Sequence, residues 1–515
     1  MIYCFSPFGY EGSAVAVEVD LRKGIPLVDI VGIADGCVAE LRERVRSAVI
    51  NSGFKFPEHR VLIALSPADL RKEGAQFDLA VALAILRESE ADNMPRSQDE
   101  KVMVMGELLL NGDVKPVKGV YPALTTAFEN GIKYAIIPEQ CEALPDGIIV
   151  NRVKNLREAF EALCNVDEVE DISNEEELRD LKDNGWGKTY NEVNDMKIEF
   201  PEDKELEERF DNLGHNGLKY AMTVAAAGRH NIIAWGAPGC GKTIMLHHLP
   251  FLTPKLTNKE RQSVQRIWSL AGLLKPNQKM DTRPFRIPHQ TASIEGICGG
   301  GSSVRPGEIS LAHNGILFLD EAAEFRTSVL QMLRVPLETK SITLSRAGRC
   351  TVYPANFQLV MATNPCPCGN YGSKDKICLC SAKSVELYWR KFSGPLLDRV
   401  QIRFDMTNEA FDDNDMPLEK ARSLIKRAWE RQYKRQGKLN NELDPQEMNE
   451  FCKLSEEARK RLDEQTVRYG YSPRTISNII KVARTLHDMF DETESDVITD
   501  VDTAIALHGK LPIDF

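Results

Sequence analysis

The sequence predicts a multidomain α/β protein: an N-terminal α+β domain, a central αβα core built on a phosphate loop, and a C-terminal α-helical lid. Three observations carry this. An apolar run from Ile232 to Trp235 stops at Gly236 and passes through Gly239, Gly241, Lys242 and Thr243 into a helical stretch, Ile244 to Leu249. A later apolar run, Ile316 to Leu319, ends in Asp320 and Glu321. At 515 residues the chain is too long for one hydrophobic core, so two to four domains are expected.

Residues 1–164 alternate short apolar runs with turn signals and helical patterns. Ala14–Val19, Val61–Leu65 and Val102–Met105 read as strands, Cys37–Asn51 and Asp78–Ser89 as helices, which gives the mixed α+β class. Residues 165–210 hold 17 Asp and Glu against 6 Lys and Arg, so this stretch accounts for the whole net charge of −11. Low apolar content and like charge predict a solvated, partly helical linker, with an acidic interaction tail as the alternative. The rest of the chain is electrically balanced, so the acidic total does not exclude a nucleic-acid partner. No run of about 18 uncharged apolar residues occurs, which predicts no membrane span. The N-terminus lacks the layout of a signal peptide, and twelve cysteines at this length fit a reduced cytoplasm better than a disulfide framework.

Residues 211–410 form the expected nucleotide-binding core. Gly236-Ala237-Pro238-Gly239-Cys240-Gly241-Lys242-Thr243 follows the pattern G-x-x-x-x-G-K-[ST] between a strand and a helix, the context that gives the pattern its meaning. Its glycines let backbone N–H groups surround phosphate oxygens, and the helix N-terminus adds its positive end. Lys242 is expected on the β- and γ-phosphates of ATP and the Thr243 hydroxyl on Mg²⁺, with Asp320 completing the metal shell. Glu321 is expected to polarise the attacking water as a general base. Between these motifs, Arg283 to Ser293 and Gly299-Gly300-Gly301 read as a loop-rich insertion. His289 within it is either a metal ligand or a hydrogen-bonded loop residue. Lys340 to Ala355 reads as a hairpin with Arg346 and Arg349 near its tip, either a contact for a phosphate backbone or a solvated turn.

Phe357–Ala362 reads as a further core strand, ending at Thr363 and Asn364. Cys366-x-Cys368 and Cys378-x-Cys380 in a glycine-bearing loop predict a four-thiolate zinc site, with a redox-sensitive thiol cluster as the alternative. Residues 411–515 are helical in pattern. Pro417–Gln436 carries seven Lys and Arg, a solvated face or a nucleic-acid contact. Ser472-Pro473-Arg474 opens the next helix.

These strings resemble the ComM/YifB family of magnesium-chelatase-like AAA+ ATPases, which carry a Lon-protease-like domain in front. In the first domain the matching words are Ile30-Val31-Gly32, Arg42 to Arg46, Asn51-Ser52-Gly53-Phe54, Pro67 to Gly74 and Gly106-Glu107-Leu108. In the core they are Asn364-Pro365-Cys366-Pro367-Cys368-Gly369 and Ser393 to Arg399. The resemblance implies a Lon-protease-like domain over 1–164, an acidic linker over 165–210, an AAA+ core with pore hairpins and a cysteine loop over 211–410, and a helical lid over 411–515. A Lon-type protease needs a serine activated by a lysine. Here the serine slot holds Gln76 and the lysine slot falls near Tyr121, which predicts a proteolytically inactive collar.

The resemblance also implies that Asn364 is the sensor-1 residue orienting the attacking water, Arg399 an arginine finger reaching a neighbour's γ-phosphate, and Arg474 the sensor-2 arginine. Arg399 alternatively forms a salt bridge with Asp398 or a nearby acid. The implied activity is that of a hexameric ATP-driven motor on single-stranded or branched DNA, a branch-migration helicase or translocase supporting DNA integration in natural transformation. Three rivals are a magnesium-chelatase motor subunit, an ATP-dependent protease or unfoldase, and a nucleotide-gated scaffold without turnover.

Overall fold

The computed structural model describes residues 1–32, 35–67, 75–90, 100–141, 144–145, 147–166, 186–188, 198–275, 278, 280–301, 304–346, 349–372, 376–407, 411, 415–492 and 495–512. In the first domain the strands of the main sheet are β1 (Ile2–Ser6), β2 (Ser13–Arg22), β3 (Leu27–Val31), β4 (Arg60–Ser66), β5 (Val102–Val104), β6 (Tyr134–Pro138), β7 (Ile149–Val153) and β8 (Trp186–Lys188). They form one mixed sheet in the order β8-β7-β6-β5-β1-β2-β4-β3. Four helices accompany it: α1 (Asp35–Asn51), α2 (Asp78–Ser89), α3 (Val120–Glu129) and α4 (Leu156–Cys164). Helix α2 is buried from Asp78 to Leu86, because it lies within the domain's apolar core and has almost no polar face. Both helices and all three strands expected here are present, with ends shifted by a few residues.

The acidic stretch is more than a tether. Its residues Trp186–Lys188 form β8, which pairs antiparallel with β7 at the sheet edge. Further on, Ile198 and Phe200 pack against the second core, and α5 (Lys204–Asn212) is capped by Asp203 and buries Phe210. Charge alone hides these anchors, since a few apolar residues are enough to dock an otherwise acidic segment.

The second sheet is wholly parallel. Its strands are β9 (Ile232–Trp235), β10 (Phe285–Arg286), β11 (Ile316–Leu319), β14 (Gln358–Thr363) and β15 (Ile402–Asp405), after a separate hairpin of β12 (Ser341–Arg346) and β13 (Arg349–Pro354). The order is β10-β11-β14-β9-β15. Both faces are covered, as parallel strands require. Ile232, Ala234, Ile316, Phe318, Val360 and Ala362 enter one apolar cluster, while Ile233, Trp235, Leu317, Leu319, Leu359 and Met361 enter the other. This alternation explains why these strands are continuous apolar runs in the sequence.

Helix α6 (Asn216–Gly228) lies on the first of these faces. Helix α7 (Lys242–Leu246) follows the phosphate loop and stops sooner than the expected Ile244–Leu249, with Pro250 restarting a short turn, Leu249–Leu252. Helix α8 (Asn258–Ala271) begins with a Thr257–Glu260 capping box and ends at Gly272 in the left-handed region. Helix α9 (Arg334–Thr339) leads into β12. In the lid, α10 (Leu418–Gln436) and α11 (Pro473–Phe490) pack on α6 and on each other. The arginines of α10 are turned inward, while Lys420, Lys426 and Lys434 stay exposed as a solvated face. Arg422 pairs with Glu207 at 2.6 Å, Arg435 pairs with the buried Asp488 at 2.7 Å, and Arg431 donates to the Asp491 carbonyl at 2.8 Å. These arginines hold the lid together and are neither a solvated face nor a free nucleic-acid contact.

The two sheets meet at a small polar junction. Arg266 of α8 donates from Nε to the Tyr10 carbonyl (3.0 Å) and from Nη2 to the Glu11 carbonyl (2.8 Å), with its guanidinium 4.8 Å from the Tyr10 ring centre. The Tyr10 N–H donates to Thr351 Oγ1 of β13 at 3.1 Å. Gly9 allows this approach: a Cβ there would stand 1.8 Å from Thr351 Oγ1.

Candidate nucleotide site

In a parallel sheet the strands' C-terminal ends share one edge, and loops leaving that edge converge. Trp235 is in register with Thr363, and Leu319 with Met361. The residues that follow are therefore neighbours: the phosphate loop after β9, Asp320 and Glu321 after β11, and Asn364 after β14. Register alone brings these three predicted groups to one place.

The loop itself bends at Gly239 and Gly241, with φ of +80° and +89°. A Cβ at Gly239 would meet nothing within 4 Å, so the mouth is open there. Around Gly236 the space is closed by Met406 and Cys240, the latter a small filler under the loop. Lys242 is buried, and its ammonium donates to the carbonyls of Gly236 (2.7 Å) and Ala237 (2.9 Å), on the loop that Pro238 and Gly239 continue.

Thr243 Oγ1 donates to Asp320 Oδ1 at 2.9 Å, joining a hydroxyl and a carboxylate that lie 77 residues apart. A hard oxygen pair of this kind beside a phosphate loop fits Mg²⁺, which takes one or two protein oxygens and keeps the rest for water and phosphate. The Glu321 N–H donates to the same Asp320 oxygen, and Glu321 has φ of +49°. That left-handed conformation is uncommon for a side chain of this kind and turns the carboxylate off the strand direction. Glu321 Oε2 then accepts from Gln290 Nε2 at 2.6 Å. Gln290 lies 31 positions before Glu321 in the chain, so their contact is a product of the fold. His289 bonds Thr291 Oγ1 at 2.8 Å, the behaviour of a loop residue.

Asn364 is half-buried beyond β14. Just after it, Cys366 is fully buried, and Trp389 Nε1 donates to the Pro365 carbonyl at 2.9 Å. The sulfurs of Cys366, Cys368, Cys378 and Cys380 all lie within 4.8 Å of one another. Cys366–Cys368, Cys366–Cys378 and Cys368–Cys378 are 3.4, 3.7 and 3.6 Å apart. A tetrahedron with Zn–S bonds of about 2.3 Å has S–S edges of about 3.8 Å, so the donor set fits zinc in kind and in size. The cluster also leans on the phosphate loop: a Cβ at Gly369 would come within 2.5 Å of the Pro238 ring.

Arg399 and Arg474 lie together. Arg399 meets the nearby-acid alternative, with Glu338 in place of Asp398: its Nη2 goes to Glu338 and its Nη1 to the Pro395 carbonyl. Arg474 Nη2 donates to the other Glu338 oxygen at 2.9 Å. Arg399, then burial against it, then Arg474 set the Glu338 carboxyl below its usual range. The sequence carries no sign of Glu338, a single acid in a short helix.

The β12–β13 hairpin expected over Lys340–Ala355 is present, with Arg346 and Arg349 opposite each other at its end. A second, shorter hairpin pairs Gly299–Gly300 with Arg305–Pro306 inside the insertion.

The family described as magnesium chelatase, subunit ChlI, matches residues 210–414. Subunit ChlI of Mg-chelatase matches 17–141, and the ChlI C-terminal family matches 417–508. The YifB protein of Escherichia coli (strain K12) is 34% identical over 506 residues, covering 97% of this chain and 94% of that protein. The competence protein ComM of Haemophilus influenzae is 33% identical over 501 residues, covering 96% of this chain and 94% of that protein. Lon protease 2 of Bacillus subtilis is 31% identical over 125 residues, 24% of this chain and 22% of that protein. Among the described residues, no helix is long and apolar enough to cross a membrane.

Proposed function

The chain belongs to the ComM/YifB family of magnesium-chelatase-like AAA+ proteins, and from that premise we propose that it is an ATP-hydrolysing ring motor acting on DNA. The observation that carries the reading is the convergence of Lys242, Thr243, Asp320, Glu321 and Asn364 on one sheet edge. Lys242 and the loop's backbone N–H groups hold the phosphates, while Thr243 and Asp320 hold Mg²⁺, which supplies charge neutralisation at the γ-phosphate. Glu321 accepts the proton of the attacking water, and Asn364 orients that water. Arg399 acts from a neighbouring subunit, which makes the assembly, expected to be a hexamer, part of the active site. Arg474 shares a carboxylate with Arg399 and so faces the same nucleotide.

DNA as the cargo rests on the competence name of one relative and on the two hairpins of the insertion and the β12–β13 segment. On this reading the protein is a branch-migration helicase or translocase of the cytoplasm, working on single-stranded or branched DNA during integration of incoming strands. The cysteine cluster holds a structural Zn²⁺ behind the phosphate loop. The Lon-like domain is a non-proteolytic collar, since Gln76 cannot act as the nucleophile and Tyr121 replaces the activating lysine.

Phosphate release by the full chain, with ATP and Mg²⁺ and with or without forked DNA, tests the proposal. DNA-stimulated turnover from a ring is expected, and Glu321→Gln should bind nucleotide normally while turning over at least about 100-fold more slowly. A strictly monomeric protein that releases no phosphate with or without DNA would overturn it, as would a Glu321→Gln variant with wild-type turnover.

A further inference from the structure

Arg399 closes the parallel core and Arg474 stands in the first turn of a lid helix, 75 positions later in the chain, yet both end on Glu338. Each guanidinium takes one oxygen of that carboxylate. Two cations brought this close repel each other, and a single anion between them removes the repulsion and fixes their separation. Glu338 is half exposed, whereas the Arg399 side chain is 12% exposed, so the carboxylate faces outward over an arginine already seated in the core. The seat is well held. Asn231 Nδ2 donates to the Arg399 carbonyl at 2.7 Å, and Asn478 Nδ2 of α11 donates to the Asp398 carbonyl at 2.8 Å. Arg399 Nε is buried with no hydrogen-bond partner among the described residues.

We propose that Glu338 is a positioning residue for ATP hydrolysis, holding Arg399 and Arg474 as a preformed pair so that a neighbouring subunit's triphosphate meets two oriented guanidiniums at once. The proposal rests on the reading of Arg399 as the finger. Guanidinium has five N–H donors in a fixed fork; with Nη2 on Glu338, Nη1 on the Pro395 carbonyl and Nε buried, Arg399 keeps the second N–H of each Nη for phosphate. Pre-orientation of both forks removes the cost of ordering two long side chains at the moment of reaction. Glu338 also stands three residues before β12, at the root of the hairpin assigned to DNA, so displacement of the hairpin would be felt by the pair.

The alternative is a plain staple between lid and core, and the experiment separates the two. Full-length Glu338→Gln, Glu338→Asp, Arg399→Ala and the Glu338→Gln/Arg399→Ala double variant are compared for kcat, nucleotide Kd, melting midpoint and ring formation. For a positioning role, Glu338→Gln lowers kcat about tenfold, with Kd within about twofold and the ring and melting midpoint unchanged. Glu338→Asp recovers part of the loss, and in the double variant the glutamine adds nothing to the loss from Arg399→Ala. Wild-type kcat in Glu338→Gln, or a loss that follows melting or ring dissociation, overturns the proposal. If Arg399→Ala itself keeps wild-type kcat in an intact ring, the finger reading fails instead, whatever Glu338 does.

Discussion

The slot around Gln76 and the cleft around Lys242 are both places where a relative's fold would put chemistry, and they are built in opposite ways. In the cleft, charged and polar groups sit at strand ends, bonded to one another or to loop carbonyls, beside a glycine with open space around it. In the slot, Gln76 Nε2 is buried with no partner among the described residues, and Cys4 Sγ lies 3.3 Å from the Gln76 carbonyl and 3.7 Å from Met105 Sδ. Burial pushes the Cys4 thiol far up, so it is no nucleophile. The contrast is between polar groups gathered at an open mouth and a single amide enclosed without a partner among the described residues.

The sharpest way to break this contrast is to disturb the cleft from behind. If the four cysteines hold zinc, stripping the metal or making Cys378→Ser removes a cross-link that bears on Pro238 and on the loop after Asn364. Structural zinc contributes folding free energy directly. ATP turnover should fall about tenfold or more, with a melting midpoint several degrees lower, and metal analysis of the wild-type protein should find one zinc per chain. The first domain, more than 200 residues earlier in the chain, should keep its protease resistance. Metal-free wild-type protein with full turnover would remove the cluster from the cleft's architecture.

A smaller effect separates the two regions by pH. In the core, burial alone would raise the Glu260 carboxyl, but Arg283, bonded to it at 2.8 and 2.9 Å, brings it down to about 2. Its folded value lies below its unfolded one, so its stabilisation is present above about pH 4.5 and is lost as pH falls toward 2. The amount is roughly 3 kcal/mol. In the first domain, burial raises Asp78 to about 6 although Arg44 lies 2.8 Å away. That group has the opposite sign: its contribution weakens as pH rises from about 3.8 to 6. Urea unfolding of the core followed by tryptophan fluorescence should lose midpoint between pH 4.5 and 3, and Glu260→Gln should flatten that loss. An equally steep loss in the variant would mean another carboxylate governs it.

How far the sequence foretold all this depends on the range of the forces involved. Strands β9, β11 and β14 were legible because a parallel strand buried on both faces must be apolar throughout. The start of α11 was legible because Ser472 and Pro473 cap and open a helix by local chemistry, and Ser472 Oγ does accept from the Thr475 N–H at 3.1 Å. Glu338 and Gln290 were not legible, since their partners are 136 and 31 residues away and no local pattern depends on them. The inward arginines of α10 misled for a related reason. Charge along a helix looks solvated until tertiary packing brings Glu207 and Asp488 against it.

The smallest expected change comes from restoring the missing nucleophile, and it bears most directly on the slot. Gln76→Ser would supply a hydroxyl, but a hydroxyl at neutral pH needs a base within hydrogen-bond reach. The family's lysine slot falls near Tyr121, buried at the start of α3, so no lysine is expected there to take the proton. Casein should therefore stay intact with both wild-type protein and Gln76→Ser, while ATP turnover stays within about twofold. Cleavage by the serine variant would mean that a base stands within reach of position 76 after all, and that the slot lost its chemistry through one substitution and kept the rest. Uncut casein together with intact turnover would leave the packing of Cys4 and Met105 beside position 76 as the reason the pocket cannot be revived by one hydroxyl.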